Sequence, residues 1–235
     1  MLKYYSATDV GLVRKHNEDS LLVTDKQLFL VADGMGGHAA GDIASRIFVT
    51  TVDAALQDGE TIDTQDSLRN VFIRGNQAIY ISRLVHPERK GMGTTATMLS
   101  IRGKTAVWAH VGDSRLYRLR NGELKQITRD HSLVADLVEN GSITEAEARK
   151  HPHKNMLMRA VGVEEFVQVD TGEFAIKDND IFLLCSDGLT NMTSDEEIKQ
   201  LLAADDGNKA AKLVQAALDG GGLDNVTAIV VEYHE

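Results

Sequence analysis

Three apolar runs in this chain each close on an aspartate beside a glycine. They are Leu28-Phe29-Leu30-Val31-Ala32-Asp33-Gly34, Val107-Trp108-Ala109-His110-Val111-Gly112-Asp113 and Phe182-Leu183-Leu184-Cys185-Ser186-Asp187-Gly188. Short apolar runs of this kind, bounded by glycine, read as buried strands. Each strand then delivers a carboxylate to its C-terminal end. Further acids occupy polar turns: Glu18 and Asp19 in Asn17-Glu18-Asp19, and Asp224 in Leu223-Asp224-Asn225. A carboxylate at the end of a buried run is costly unless something satisfies it. One Asp-Gly alone is an ordinary turn signal. Three, with Asn-Glu-Asp and Asp-Asn added, argue for acids gathered at one end of a sheet around divalent cations. An all-oxygen donor set favours Mg²⁺ or Mn²⁺ over Zn²⁺, which prefers Cys and His. Paired metals of this type activate water and clamp a phosphoryl oxygen. Arg14, four residues before Glu18, supplies a fixed cation suited to bidentate phosphate contact.

Other chemistries fail on spacing. A dinucleotide fingerprint starting at Gly34 needs glycine at position 39, which is Ala39. There is no Walker A sequence, and Gly112-Asp113-Ser114-Arg115-Leu116 lacks the second glycine of a nucleophile elbow. A cysteine phosphatase would need an arginine six positions after Cys185, where Asn191 stands. Cys185 reads as a small core residue on its strand. His151 and His153 lie in a polar run and read as solvated; spacing assigns no role to His131.

The elements that must position these acids follow from periodicity. Ile43, Ala44, Ile47, Phe48, Thr51, Val52, Ala55 and Leu56 lie on one face of a helix, and Leu68, Val71, Phe72, Ile79 and Val85 on another, with Gly75 as a weak point. Thr94–Ile101 and Thr105–Val111 read as strands around Arg102-Gly103-Lys104. Arg115–Arg120 and Glu123–Ile127 flank Asn121-Gly122, a two-residue hairpin signal. Helices are expected to start at Ser194 and near Asn208, and Val226–Glu232 reads as a last strand. Residues 139–162 fit neither period. The capping box Thr144-Glu145-Ala146-Glu147 marks a short helix there, within an insertion or lid. The class is mixed α/β with a mainly antiparallel sheet.

Composition bounds the answer further. The chain has 235 residues and a formal net charge of −10, which argues against non-specific nucleic-acid binding. Its single cysteine permits no internal disulfide, and no run has the apolar length of a signal or of the roughly 20-residue membrane span. The expectation is a cytoplasmic chain without membrane or nucleic-acid partners.

Taken in order, Arg14-x-x-Asn17-Glu18-Asp19, Asp33-Gly34-Met35-Gly36-Gly37-His38, Gly93-Thr94-Thr95, Val111-Gly112-Asp113-Ser114-Arg115, Asp130-His131-Ser132, Arg159-Ala160-Val161-Gly162, Ser186-Asp187-Gly188-Leu189 and Asp224-Asn225 resemble the metal-dependent Ser/Thr protein phosphatases of type 2C in their short bacterial form. The resemblance runs from about Ser6 to Val231. It implies an α/β (α+β) fold: a central β-sandwich of two antiparallel sheets flanked by helix pairs. It also implies one catalytic domain over 1–235 with a flap at about 140–165. By resemblance, Asp33, Asp187 and Asp224 hold one Mn²⁺ or Mg²⁺, Asp33 and the Gly34 carbonyl hold a second, and Asp113 with Asp187 forms a third, weaker site. Glu18 acts on metal-bound water and Arg14 binds the substrate phosphate. Animal relatives carry a histidine immediately after the Asp-Gly; here Met35 stands there, and His38 is the candidate proton donor. The implied activity is hydrolysis of phosphoserine and phosphothreonine on proteins by a metal-bridging water, opposing a bacterial Ser/Thr kinase, by a monomer. The competing readings are a non-catalytic phosphoprotein-binding domain and a small-molecule phosphoesterase.

Overall fold

A computed structural model describes residues 1–36, 40–204 and 207–235. The chain order is β1 (Leu2–Asp9), β2 (Asp19–Val23), β3 (Leu28–Met35), α1 (Ala40–Gln57), α2 (Gln65–Val85), a 3₁₀ turn (Pro87–Arg89), β4 (Gly93–Thr94), β5 (Ala96–Arg102), β6 (Thr105–Val111), β7 (Arg115–Arg120) and β8 (Glu123–Gln126). There follow α3 (Leu133–Glu139), α4 (Glu145–Ala148), β9 (Asp170–Ala175), β10 (Ile181–Cys185), α5 (Asp187–Thr190), α6 (Asp195–Ala203), α7 (Lys209–Asp219) and β11 (Val226–Tyr233). Among the described residues the strands form two antiparallel sheets. One has the order β1-β11-β10-β7-β8; the other has β2-β3-β5-β6-β9, with β4 paired to β3.

The apolar runs are continuous because both faces of the central strands are covered. Along β3, Phe29 and Val31 point between the sheets, where they meet Leu99, Phe182, Leu184, Ile229 and Val231. Leu28 and Leu30 point the other way, into a layer with Phe48, Val52, Val71 and Phe72 of α1 and α2. Along β10 and β11, Leu183, Cys185, Ala228 and Val230 pack on Ile198, Leu202, Leu213 and Ala217 of α6 and α7. The result is helix–sheet–sheet–helix, as the resemblance implies. Cys185 is fully buried, and burial pushes its thiol up to about 12, which suits an inert core residue.

Local signals account for most boundaries. Thr64 caps α2 in a capping box with Ser67, and the Asn208 side chain accepts the Ala211 N–H at 3.0 Å at the start of α7. Asn121 and Gly122 both have positive φ, 52° and 76°, the geometry of a type I′ hairpin turn. Other elements had no clear signal. Strands β1 and β9 are edge strands with mixed polar and apolar residues, and α3 precedes the expected lid. β3 continues past Asp33 to Met35, because Gly34 and Met35 pair with Thr94 and Gly93 of β4. Among the described residues no helix is long and apolar enough to cross a membrane.

Gly75, the weak point in α2, is where α1 comes closest. A Cβ there would stand 2.5 Å from Phe48 Cδ2. The Phe48 ring is fully buried and packed edge-on to Phe72 at 4.9 Å between centroids, so it has nowhere to go. Gly75→Ala should therefore destabilise the fold. Overpacking of about 1–3 kcal/mol outweighs the roughly 1 kcal/mol that alanine gains in helix propensity. A denaturant melt showing Gly75→Ala more stable than wild type would contradict this packing account.

Candidate active site

The acids come to one end of the sandwich on four separate supports. Asp33 lies on β3, directly opposite Asp19 of β2. Asp113 sits in the tight turn between β6 and β7. Asp187 opens α5 just after β10, and Asp224 stands two residues before β11. All keep some accessible surface, yet burial is the leading cause that holds Asp33, Asp113 and Asp187 above the ordinary carboxylate range. Their neighbours push the same way. Asp33 feels the charges of Asp19, Asp187, Asp113 and Asp224; Asp187 feels Asp224, and Asp113 feels Asp187. Burial raises Asp19 to about 7, against the hydrogen bonds it receives from Thr227 and Ser186. The predicted acids are thus electrostatic neighbours.

Backbone clamps fix these groups. The Asp33 N–H donates to Thr95 Oγ1 at 3.0 Å, while the Thr95 N–H and the Thr94 hydroxyl donate to the Asp33 carbonyl at 2.8 and 2.9 Å. Thr95 Oγ1 also bonds Ser114 Oγ at 2.7 Å, tying Asp33 to the Asp113 turn. The Ser186 hydroxyl donates to Asp19 Oδ2 at 2.7 Å and accepts the Thr227 N–H at 3.0 Å. Asn191 donates to Asp187 Oδ2 at 2.9 Å. Gly188 must be glycine: a Cβ would fall 1.9 Å from the Asn225 carbonyl oxygen.

Asn225 organises the remaining arm. Its Oδ1 accepts the Glu18 N–H at 2.8 Å, and its Nδ2 donates to the carbonyls of Val10 and His16, both at 2.9 Å. The segment 10–18, which carries Arg14 and Glu18, is thereby pinned beside Asp224. Arg14 Nη2 donates to Asp224 Oδ2 at 2.7 Å, with about half of its side chain exposed. Glu18 is held above its ordinary range by burial, partly offset by Arg14. The Asp-Asn pair was visible in the sequence, but three simultaneous side-chain bonds across more than 200 residues of chain were not. His38, the candidate proton donor, lies outside the described residues.

Whether these residues suit divalent ions can be asked of the site directly. Among the described residues, no three His, Cys, Asp or Glu side chains stand in an arrangement ready to hold an ion; Asp33 and Asp187 lie within hydrogen-bond reach of each other. The chemistry of the site nevertheless fits. The side-chain donors are carboxylates, desolvated and mutually repelling, and the buried Asp19 Oδ1 has no partner. Above the bare Cα of Gly41, a Cβ would lie 2.7 Å from both the Gly34 carbonyl oxygen and Glu18 Oε2. That oxygen-lined cradle exists only because position 41 has no side chain. From the acids a cleft of about 460 Å³ leads outward from Asp113 and Asp187, past Asn191, to Val138, Arg149 and Lys154 of the segment that carries α3 and α4.

If Asn225 sets the arm, Asn225→Ala should leave the sandwich intact but free the Glu18 and Arg14 segment. It removes three hydrogen bonds of about 0.5–1.5 kcal/mol each, so the Glu18 N–H and the carbonyls of Val10 and His16 lose the partner that ties them together. Amide exchange in peptides spanning 10–18 should speed up while the β5–β6 core stays protected. Equal exchange in both proteins would refute that role.

A protein phosphatase 2C family model matches residues 13–217. The chain is 42% identical over 234 residues to the Ser/Thr protein phosphatase PstP of Mycobacterium tuberculosis; this covers 99% of the chain but 45% of that relative. The chain thus spans less than half the length of PstP. It is 40% identical to the protein phosphatase PhpP of Streptococcus pneumoniae, covering 97% of this chain and 96% of the relative. The PstP crystal structure superposes with a TM-score of 0.93 at 39% identity, covering 100% and 99% of the two chains. A structure of the PstP catalytic domain in complex with two manganese ions gives a TM-score of 0.91 at 39% identity, with the same coverage. With the family model matching most of its length and relatives of about 40% identity along nearly all of it, the chain belongs to the protein phosphatase 2C family.

Proposed function

We propose that this chain hydrolyses phosphoserine and phosphothreonine on proteins in a reaction that depends on divalent metal. The observation that supports the reading is that Asp33, Asp113, Asp187 and Asp224, carried on four supports, are electrostatic neighbours, with Arg14 paired to Asp224. Asp33, Asp187 and Asp224 would hold one ion, Asp33 and the Gly34 carbonyl a second, and Asp113 with Asp187 a third and weaker one. Mn²⁺ or Mg²⁺ suits these oxygens. When bound, such ions lower the pKa of water and offset phosphoryl charge.

The chain's own residues do the rest. Arg14 offers a planar fork to the phosphate oxygens. Its pair with Asp224 is half-exposed, so by the usual worth of such pairs, about 0–1 kcal/mol, the guanidinium is readily redirected to a ligand. Glu18, its N–H held by Asn225 and its carboxyl kept above its ordinary range by burial, would accept a proton from water. The cleft that runs from Asp113 and Asp187 toward α3 and α4 would take a protein segment beside the acids. Phosphorylated proteins, a Ser/Thr kinase among them, are the partners of this reading. The chain acts as a monomer in the cytoplasm, and His38 remains its candidate proton donor.

Phosphopeptide hydrolysis in the presence of Mn²⁺ tests the central claim. Chelation with EDTA should abolish turnover and added Mn²⁺ restore it. Asp33→Asn should lose about 100-fold or more, since even partners one shell out from a metal cost 10–100-fold. Turnover that survives EDTA, or an unimpaired Asp33→Asn, would end the metal-dependent reading. Arg14→Lys keeps the charge but loses the fork. It should raise KM for phosphopeptide about tenfold with little change in kcat, the pattern of lost ground-state binding. A kcat defect with KM untouched would place Arg14 in a different role.

A further inference from the structure

The motif Asp130-His131-Ser132 plays no part in the reading above, yet His131 stands where two regions of the molecule meet. It is 3% exposed. On one side it holds the β6–β7 turn twice. Its N–H donates to the Gly112 carbonyl at 2.7 Å, and its Nδ1 accepts the Gly112 N–H at 3.1 Å. An accepting Nδ1 puts the ring proton of the neutral imidazole on Nε2, which faces Asp170 Oδ2 at 3.1 Å. The other oxygen of Asp170 accepts from Arg159 at 2.8 Å. On its opposite side His131 meets the returning arm of the flap. The Met158 N–H donates to the His131 carbonyl at 2.8 Å, and the Leu133 N–H donates to Met156 at 2.9 Å. Ser132 and Leu157 form a β-bridge between these bonds.

The turn that His131 grips has little freedom. Gly112 has φ +113°, and a Cβ there would lie 2.6 Å from the Thr95 side chain. Beyond Asp113, the Ser114 hydroxyl bonds Thr95 Oγ1 at 2.7 Å, and the Ser114 carbonyl accepts from Thr97 Oγ1 at 3.0 Å. Asp113 therefore sits between a residue fixed to the sheet and a residue fixed to His131. Movement of the flap arm reaches the turn through one residue, by the backbone and the buried side chain of His131.

We propose that His131 is a positioning residue that couples the seating of the flap to the placement of the Asp113 carboxylate. The inference rests on the reading of Asp113 as a ligand of the weaker divalent site. It adds that this site senses the flap through the Gly112–His131 pair, with Asp170 and Arg159 holding the far edge of the imidazole.

The test combines amide hydrogen exchange with Mn²⁺ titration calorimetry on the full chain. Asparagine can place its amide oxygen near the position of Nδ1 and keep the Gly112 bond. Glutamine reaches toward Asp170 and leaves Gly112 unpaired. His131→Gln should speed exchange of the Gly112 amide at least about tenfold. It should also weaken, by about tenfold, the Mn²⁺ class that Asp113→Asn removes, in line with the 10–100-fold effect of outer-shell partners. His131→Asn, which keeps the Gly112 bond but gives up the contact with Asp170, should change both by clearly less than His131→Gln. If the two variants behave alike, or exchange quickens while Mn²⁺ affinity holds, the coupling is overturned. So it is if Asp113→Asn removes no Mn²⁺ class. Should either His131 variant fail to fold, Asp170→Ala carries the test from a side chain that is 36% exposed. It should quicken Gly112 exchange and weaken the same Mn²⁺ class, and no change in either overturns the proposal. A wild-type chain that binds no Mn²⁺ would sink the metal reading itself. That outcome is distinct from failure of the coupling, in which wild type binds and the variants bind equally well.

Discussion

Repulsion between desolvated carboxylates is the constraint around which this molecule is organised. Two like charges about 4 Å apart cost on the order of 4 kcal/mol at an effective dielectric of 20. A few such pairs would rival the roughly 5–15 kcal/mol net stability of a whole domain. Burial first, and the charges of neighbouring acids beside it, hold Asp33, Asp113 and Asp187 above the ordinary carboxylate range, so their ionised forms call for counter-charge. Cations or protons must supply it. A site built this way is primed for hard divalent ions, and the remaining question for the fold is how to keep the acids from moving apart.

The two-sheet sandwich answers it. Strands β3 and β10 are buried on both faces, between the opposite sheet and a helix layer, so their ends are rigid. The acids then need only short connections to firm backbone. Thr94 and Thr95 hold Asp33, Ser186 and Thr227 hold Asp19, and Thr95 with Ser114 ties the Asp33 strand to the Asp113 turn. Glycines at 34, 41 and 188 let backbone segments approach where any Cβ would collide. The side opposite the sheets is handled differently. Arg14 and the flap present exposed, adaptable groups to a ligand, while Asn225 and His131 anchor each of them to the rigid end.

Both anchors share a physical logic. An Asn amide or a neutral imidazole offers a donor and an acceptor on one small, uncharged group. It can join two backbone segments inside the protein without adding to the negative charge already gathered there. A carboxylate in either position would have worsened the repulsion. Asp170 takes the charged role farther out, where it is a third exposed and faces Arg159.

The acids, their glycine-flanked strand ends, the principal helices, the Asn121-Gly122 hairpin and the family resemblance were all legible in the sequence. Such features depend on local patterns: apolar periodicity, turn chemistry and residue type at short spacing. The edge strands β1 and β9 and the helix α3 were not, because half-exposed elements carry weak periodicity and are held by partners elsewhere in the chain. Likewise Asn225 and His131 were visible as motif letters without a task. Their bonds reach Glu18 from 207 residues away and Gly112 from 19, and nothing in local spacing encodes such reach. By itself the sequence determined which groups could do chemistry and that burial would make their charges costly. Only the tertiary structure decided which of them face one another and what holds them there, because hydrogen bonds and repulsion act through ångströms of space and not through positions along the chain.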